Sequence, residues 1–476
     1  MSRKVPPVEI PDANPFEHDV LDREPIAKHL TSLLRTIEDP FVFSLSSPYG
    51  TGKTTFVRMW QQHLEKEGFV TLYYDAWSND FVDDPLVAFI DEITTRIEGR
   101  DELADEKWQK CIAKIKTFAN TVAWRTIPVG LKLLTAGLLD ANDFDEQVLT
   151  EAVQGVSGEA IEQYRSMRDD VQEFRETLTE LVEEVQTEGD GNPIILFVDE
   201  LDRCRPDHAV LLLERIKHFF SIPGITFVLS MEPDQLQHSV KALYGAGFDA
   251  KGYLRRFIDL DFSLPKPPIV PFTRLLFRYH GLYDTLEELD KARMGQDTFL
   301  TVESIARAGK LGLRQQQKFA LRYGIALSMA RSHMDMDGRS AAFLSLIVGY
   351  RIAFPKQYAE LVDGTQRASG LVKAVKSTFL DQPDDQKWRY LRAVEHLDAA
   401  ASFYDASDEN ELDIAITESK GMSNGYNSDH GDHAPDGGYK YNALKEIRKL
   451  YTLESFKYLI QVAEITGQID DKVVES

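Results

Sequence analysis

Residues 43–55 read FSLSSPYGTGKTT: a β-rich run, a turn with two closely spaced glycines, then a lysine and two threonines. The run 41–45 has strand composition, and 54–64, TTFVRMWQQHL, carries apolar residues at helical spacing. A strand that turns tightly into a helix aims successive backbone N–H groups into one concavity at the positive end of that helix. Such a concavity suits phosphate. Gly50 and Gly52 provide the permissive dihedrals, Lys53 a point charge, and Thr54 a hydroxyl for a divalent cation. Ser47, Pro48, Tyr49, Thr51 and Thr55 complete the candidate phosphate contacts. The usual spacing is G-x-x-x-x-G-K-[ST], and Ser47 stands where the first glycine belongs. Serine caps and proline fixes φ, so Ser47-Pro48 turns the chain by another route, and the loop is expected to keep its function.

A second motif supports the first. Residues 194–200, IILFVDE, form an uninterrupted apolar run ending in two carboxylates, as a strand buried on both faces of a parallel sheet requires. At the end of such a strand Asp199 is placed to hold Mg²⁺ through a water. Glu200 is placed to polarise a water against the terminal phosphate. The catalytic candidates are therefore Lys53, Asp199 and Glu200, with Thr54 and Asp199 on the metal.

The rest of the chain gives these motifs a frame. Residues 19–37 predict a helix, with Asp22 as cap and Pro25 in the first turn. A further strand is expected over 69–77, ending at Trp77, whose side chain is expected in the core. Helices follow at 85–97 and 210–220, and a strand at 225–229. Strands alternating with helices imply an α/β fold with a parallel sheet covered on both faces. Four regions follow: an N-terminal arm over 1–18, a core from 19–98 and 189–265, a charged helical insert at 99–188, and a helical region over 272–476. In the insert, Val171, Phe174, Leu178 and Leu181 lie on one stripe, and its glutamates are read as a solvated face. The proline-rich stretch 264–271 reads as a linker, 418–441 as a mobile loop, and 444–465 as one closing helix. In that loop, Asp429, His430, Asp432 and His433 have no diagnostic metal spacing.

A chain of 476 residues with net charge -23 is not built for a sequence-blind grip on nucleic acid. Two distant cysteines make no disulfide framework, and Cys204 reads as a packing residue. The first residues have no apolar run, and the longest apolar stretch, 127–139, is too short to span a bilayer. A cytoplasmic protein with no membrane partner is expected.

Residues 199–235, DELDRCRPDHAVLLLERIKHFFSIPGITFVLSMEPDQ, resemble the region after the acidic strand in the KAP family of P-loop NTPases. The family hallmark is D-D-L-D-R-C followed by proline, and this chain has Asp199-Glu-Leu-Asp-Arg-Cys204 and then Pro206. The segment YYDAW at 73–77 and KGYLRRFIDLDFSLP at 251–265 are similar to further family segments. Glu200 replaces a frequent aspartate, and Tyr49 a frequent tryptophan. The resemblance covers roughly 19–330 and implies the additional-strand, catalytic-glutamate class, with ATP and Mg²⁺ as cofactors. It also implies roles for other residues: Ser230 as a sensor of the terminal phosphate, Asp202 as a second residue for metal or water, Arg255 and Arg256 as arginine-finger candidates, and Arg314 as a sensor arginine from a lid. Soluble bacterial members often act beside nucleases in phage resistance. By that resemblance a homo-oligomer is expected, with an effector partner such as a nuclease, and nucleic acid reached only through it. The main expectation is an ATPase that regulates or drives such a complex. The alternative is a slow nucleotide-gated switch.

Overall fold

The computed structural model describes residues 8–474, apart from residue 38, 83–84, 99–168 except residue 113, scattered positions between 170 and 190, 218–221, 292–296, 381–383 and 425–437. Most of the expected insert and the His–Asp cluster at 429–433 therefore lie outside the described residues. The chain divides into two compact units, one over Val8–Lys266 and the other over Pro267–Ser476.

The first unit is built on five parallel strands: β1 (Phe41–Ser46), β2 (Thr71–Asp75), β3 (Ile194–Asp199), β4 (Ile225–Met231) and β5 (Leu260–Ser263). Their order is β2-β3-β4-β1-β5, so β4 separates the strand that feeds the glycine loop from the strand that ends in carboxylates. Period-2 alternation sends successive residues to opposite faces. Phe43, Leu45, Tyr73, Ile195, Phe197 and Val228 face one core, with helices α1 (Glu24–Leu34) and α2 (Lys53–Lys66). Val42, Leu72, Tyr74, Leu196, Val198, Phe227 and Leu229 face the other. That core also holds residues of α3 (Pro85–Glu98), α4 (Pro206–Ile216), α5 (Pro233–Tyr244) and α6 (Ala250–Leu254). The result is an α/β sheet covered on both sides.

Several local expectations are corrected. Asp22 does not cap α1. It has φ 54°, and the carboxylate of Asp19, three residues earlier, instead accepts the Glu24 N–H at 3.0 Å. The end of the N-terminal arm packs on the first unit: Phe16 is buried and meets His63 edge-on at 5.9 Å. Trp77 is not a core residue. The strand ends at Asp75, Ala76 takes the buried position, and Trp77 starts a 3₁₀ turn with 52% of its surface exposed. In the acidic stretch before β3 the described Glu173, Glu176, Glu180 and Glu183 are exposed as expected, while Leu178 packs half-buried beside buried Val182 on the second core cluster.

The second unit is helical: α7 (Ile269–Tyr279), α8 (Leu282–Lys291), α9 (Asp297–Ala308), α10 (Leu313–Arg331), α11 (Gly338–Ala353), α12 (Pro355–Val362), α13 (Ala368–Leu380), α14 (Asp384–Asp405), α15 (Glu409–Asn424), α16 (Gly438–Leu450) and α17 (Leu453–Val474). Helix α11 is buried from Ser340 to Tyr350, as a helix that is apolar on all sides should be. A Cβ on Gly349 would stand 2.4 Å from Ile305 Cγ2, so glycine permits the close approach of α11 to α9. The expected linker is shorter than its prolines suggest, because α7 starts at Ile269 and includes Pro271. Both ends of the expected loop 418–441 are helical. Ser419 is buried and its hydroxyl donates to the Ala415 carbonyl at 2.8 Å, so packing overrides the weak helix propensity there. The closing segment is two helices. Thr452 breaks it, accepting the Ser455 N–H at 3.3 Å.

Candidate functional site

The carboxyl ends of the strands gather the motif residues. Register places Asp75 opposite Asp199, Asp199 opposite Ser230, and Ser230 opposite Leu45, just before the loop. This edge of an open parallel sheet is where ligands bind.

The loop keeps its shape without a first glycine. Gly50 and Gly52 have φ of 73° and 83°, whereas Ser47 lies outside the left-handed region and needs no glycine. The Ser47 hydroxyl instead contacts the Thr51 hydroxyl, and Thr51 Oγ1 donates to the Pro48 carbonyl at 2.8 Å. Lys53 opens α2, and its ammonium donates back to the Ser47 carbonyl at 3.2 Å. Burial lowers the Lys53 pKa, while Asp202, Asp199, Glu232 and Glu200 oppose that shift. Thr54 follows, with Thr55 half-buried in the same turn.

The two carboxylates after β3 differ in role because their surroundings differ. Asp199 is fully buried; its Oδ2 accepts the Tyr73 hydroxyl at 2.9 Å and its Oδ1 accepts the Glu200 N–H at 2.9 Å. Glu200 is held at φ 63°, a left-handed conformation that costs a non-glycine residue energy. That twist turns its side chain to the loop, where Oε1 accepts the Thr54 hydroxyl at 2.8 Å and Oε2 pairs with Arg203. Burial raises the Glu200 pKa, opposed by Thr54 and Arg203. Arg203 is itself set between Tyr49 and Trp77, its guanidinium carbon 5.6 Å from each ring centroid. Lys53, Thr54, Asp199 and Glu200 are thus brought together, though Lys53 and Asp199 are 146 positions apart in the chain.

Three residues here carried no clear sequence signal. Arg23, nearly fully buried, donates to the Thr51 carbonyl at 2.8 Å and to the Gly52 carbonyl at 3.4 Å, bracing the loop from outside. Burial lowers its pKa to about 10. Glu232 accepts the Tyr49 N–H at 3.2 Å, and Tyr73 reaches Asp199 across 126 residues. No spacing rule finds such partners; they follow only from sheet order. Arg255 and Arg256 are exposed at the end of α6. Arg314 is exposed at the start of α10, in the other unit.

The residues fit a metal-bound polyphosphate. The loop offers N–H donors and Lys53. Thr54 and Asp199 offer oxygens suited to Mg²⁺, which takes one or two protein groups and completes its shell with phosphate and water. Among the described residues, three buried atoms at this edge have no hydrogen-bond partner: Ser230 Oγ, Asp202 Oδ2 and Glu200 Oε2, the last meeting Arg203 only as an ion pair, as groups kept for a ligand would. Among the described residues no three His, Cys, Asp or Glu side chains form a self-contained metal centre, and no helix is long and apolar enough to cross a membrane.

The chain is similar to several known proteins. The uncharacterized protein MJ0182 of Methanocaldococcus jannaschii is 28% identical over 178 residues, covering 34% of this chain and 89% of that protein. The solved structure of the Aeropyrum pernix ORC2 protein, in ADPNP-ADP complexes, aligns with a TM-score of 0.31 and 14% identity over 79% of this chain and 86% of that one. The model of the KAP family P-loop domain matches residues 23–292. That match starts at the arginine that braces the loop, spans both carboxylates and takes in more than half of the sequence: the chain belongs to the KAP family of P-loop NTPases.

Proposed function

We propose that this nucleotide-binding NTPase is a Mg²⁺-dependent ATPase that regulates or drives an effector partner in antiphage defence. The observation that carries the enzymatic part is the convergence of Lys53, Thr54, Asp199 and Glu200 at one sheet edge. Lys53 exchanges the Ser47 carbonyl for phosphate oxygen and stabilises charge there. Thr54 would hold the cation through its hydroxyl in place of its bond to Glu200. Glu200 is then placed to accept a proton from the water whose oxygen bonds to the terminal phosphorus as the bond to ADP breaks. When bound, Mg²⁺ supplies the compensating charge at the phosphate oxygens. Purified protein is expected to release phosphate from ATP in Mg²⁺ and not in EDTA. Equal release in both would end this reading. The effector, a nuclease by family resemblance, is expected to co-purify when the chain is expressed with its neighbouring genes; recovery of this chain alone would count against it.

One observation favours the switch reading. Both Glu200 oxygens are engaged within the protein, by Thr54 and Arg203. Hydrolysis then requires rearrangement and is slow, so that binding itself becomes the signal. Turnover at saturating ATP, measured beside size-exclusion with and without ATP, separates the two. Fast turnover with unchanged assembly excludes the switch.

The same pair gives a pH prediction. A base must be ionised, so activity rises with pH through the raised Glu200 pKa. Arg203 opposes the rise. Arg203→Ala is expected to move the acid limb of kcat/KM upward by about one pH unit. A pH-rate profile of both proteins checks this.

A further inference from the structure

The Tyr73 hydroxyl enters the site from β2, a strand outside both the glycine loop and the acidic strand end. It donates to Asp199 Oδ2 at 2.9 Å within a buried pair: Tyr73 is 1% exposed and Asp199 0%. The ring is fixed as well. It lies in the core cluster with Trp60 and Phe197, and the Arg58 guanidinium carbon sits 3.2 Å from its centroid. Asp199 Oδ1 meanwhile accepts the Glu200 N–H. Each carboxylate oxygen carries two lone pairs, so both oxygens retain capacity for a cation or its water while their orientation is set.

We propose that Tyr73 is a positioning residue for the divalent cation: its hydroxyl locks the Asp199 carboxylate in one rotamer, so that the metal meets a preorganised ligand. This rests on the reading of the site as one for Mg²⁺ and a nucleotide. Outer-shell partners of this kind set metal affinity by factors of about 10 to 100. A tyrosine that merely satisfied its hydroxyl in the core would affect stability and leave cation dependence alone.

The test uses the full chain and a fluorescent ATP analogue, titrated in EDTA and then with Mg²⁺. Tyr73→Phe keeps the ring and removes the donor. It is expected to raise the Mg²⁺ concentration for half-maximal enhancement of binding roughly tenfold, with affinity in EDTA within about twofold of wild type. In an Asp199→Asn background the same change is expected to have no further effect, since the two residues act as one unit. A folded Tyr73→Phe protein with an unchanged Mg²⁺ midpoint, or one weakened equally in EDTA, overturns the proposal. So does a full effect that persists beside Asp199→Asn. If Tyr73→Phe does not fold, Arg58→Ala decides: it frees the ring without removing the hydroxyl, and its Mg²⁺ midpoint must rise. Wild-type protein that binds no analogue in either condition overturns the nucleotide reading as well. Normal wild-type binding beside an unmoved variant overturns the role of Tyr73 alone.

Discussion

Lys53→Ala is expected to weaken ATP binding by roughly 100- to 10,000-fold while the protein stays folded. The magnitude follows from what is lost. A charge-assisted hydrogen bond contributes about 1.5–3 kcal/mol, Lys53 is placed to make such bonds to two phosphates, and each 1.4 kcal/mol is tenfold in affinity. The fold is spared because the lysine contributes little to it. Its side-chain hydrogen bond to the Ser47 carbonyl is duplicated in effect by other anchors of the loop: Arg23 on the Thr51 and Gly52 carbonyls, and the contact between the Ser47 and Thr51 hydroxyls. Burial moreover disfavours the charged lysine, so its removal also removes a desolvation cost. Calorimetric titration of both proteins checks binding, and thermal melting checks the fold. Unchanged affinity in a folded variant would show that the loop does not grip phosphate through this residue.

The parts of this site that could be read in sequence are those encoded locally. The glycines at 50 and 52, the lysine and the threonine form one turn and the start of one helix, and periodicity on either side marks the strand and helix that frame them. The apolar run before Asp199 announced a buried strand in the same way. What stayed hidden depends on which strands become neighbours. Strand β4 lies between β1 and β3, and no hydrophobic pattern encodes that order. Tyr73 reads as one more aromatic residue in a strand until β2 pairs with β3 and brings its hydroxyl to Asp199. Arg23 reads as one more polar residue in the first turn of a helix until its guanidinium is seen to donate to the loop carbonyls. Trp77 departs from its expected burial for a related reason. Its size argues for burial, but β2 ends two residues before it, and the ring is held at the surface against Arg203 instead.

Glu200→Gln should separate binding from chemistry. General-base catalysis contributes about 10²- to 10⁴-fold, and a fall of that size in single-turnover hydrolysis is expected, with affinity for ATP kept near the wild-type value. Glutamine retains the Oε1 acceptor that receives the Thr54 hydroxyl, fills the same volume and cannot take a proton from water. Stability provides an independent reading of the same side chain. The folded-state pKa of Glu200 is raised, chiefly by burial. A group shifted in that direction contributes stability below its unfolded pKa and loses it as pH rises through the folded value. The neutral glutamine escapes that loss but also gives up the ion pair with Arg203. The melting temperature of the variant relative to wild type should therefore improve from about pH 4 to neutrality. Should the substitution leave hydrolysis intact, the base must be sought elsewhere in the acidic cluster, with Asp202 the next residue to replace.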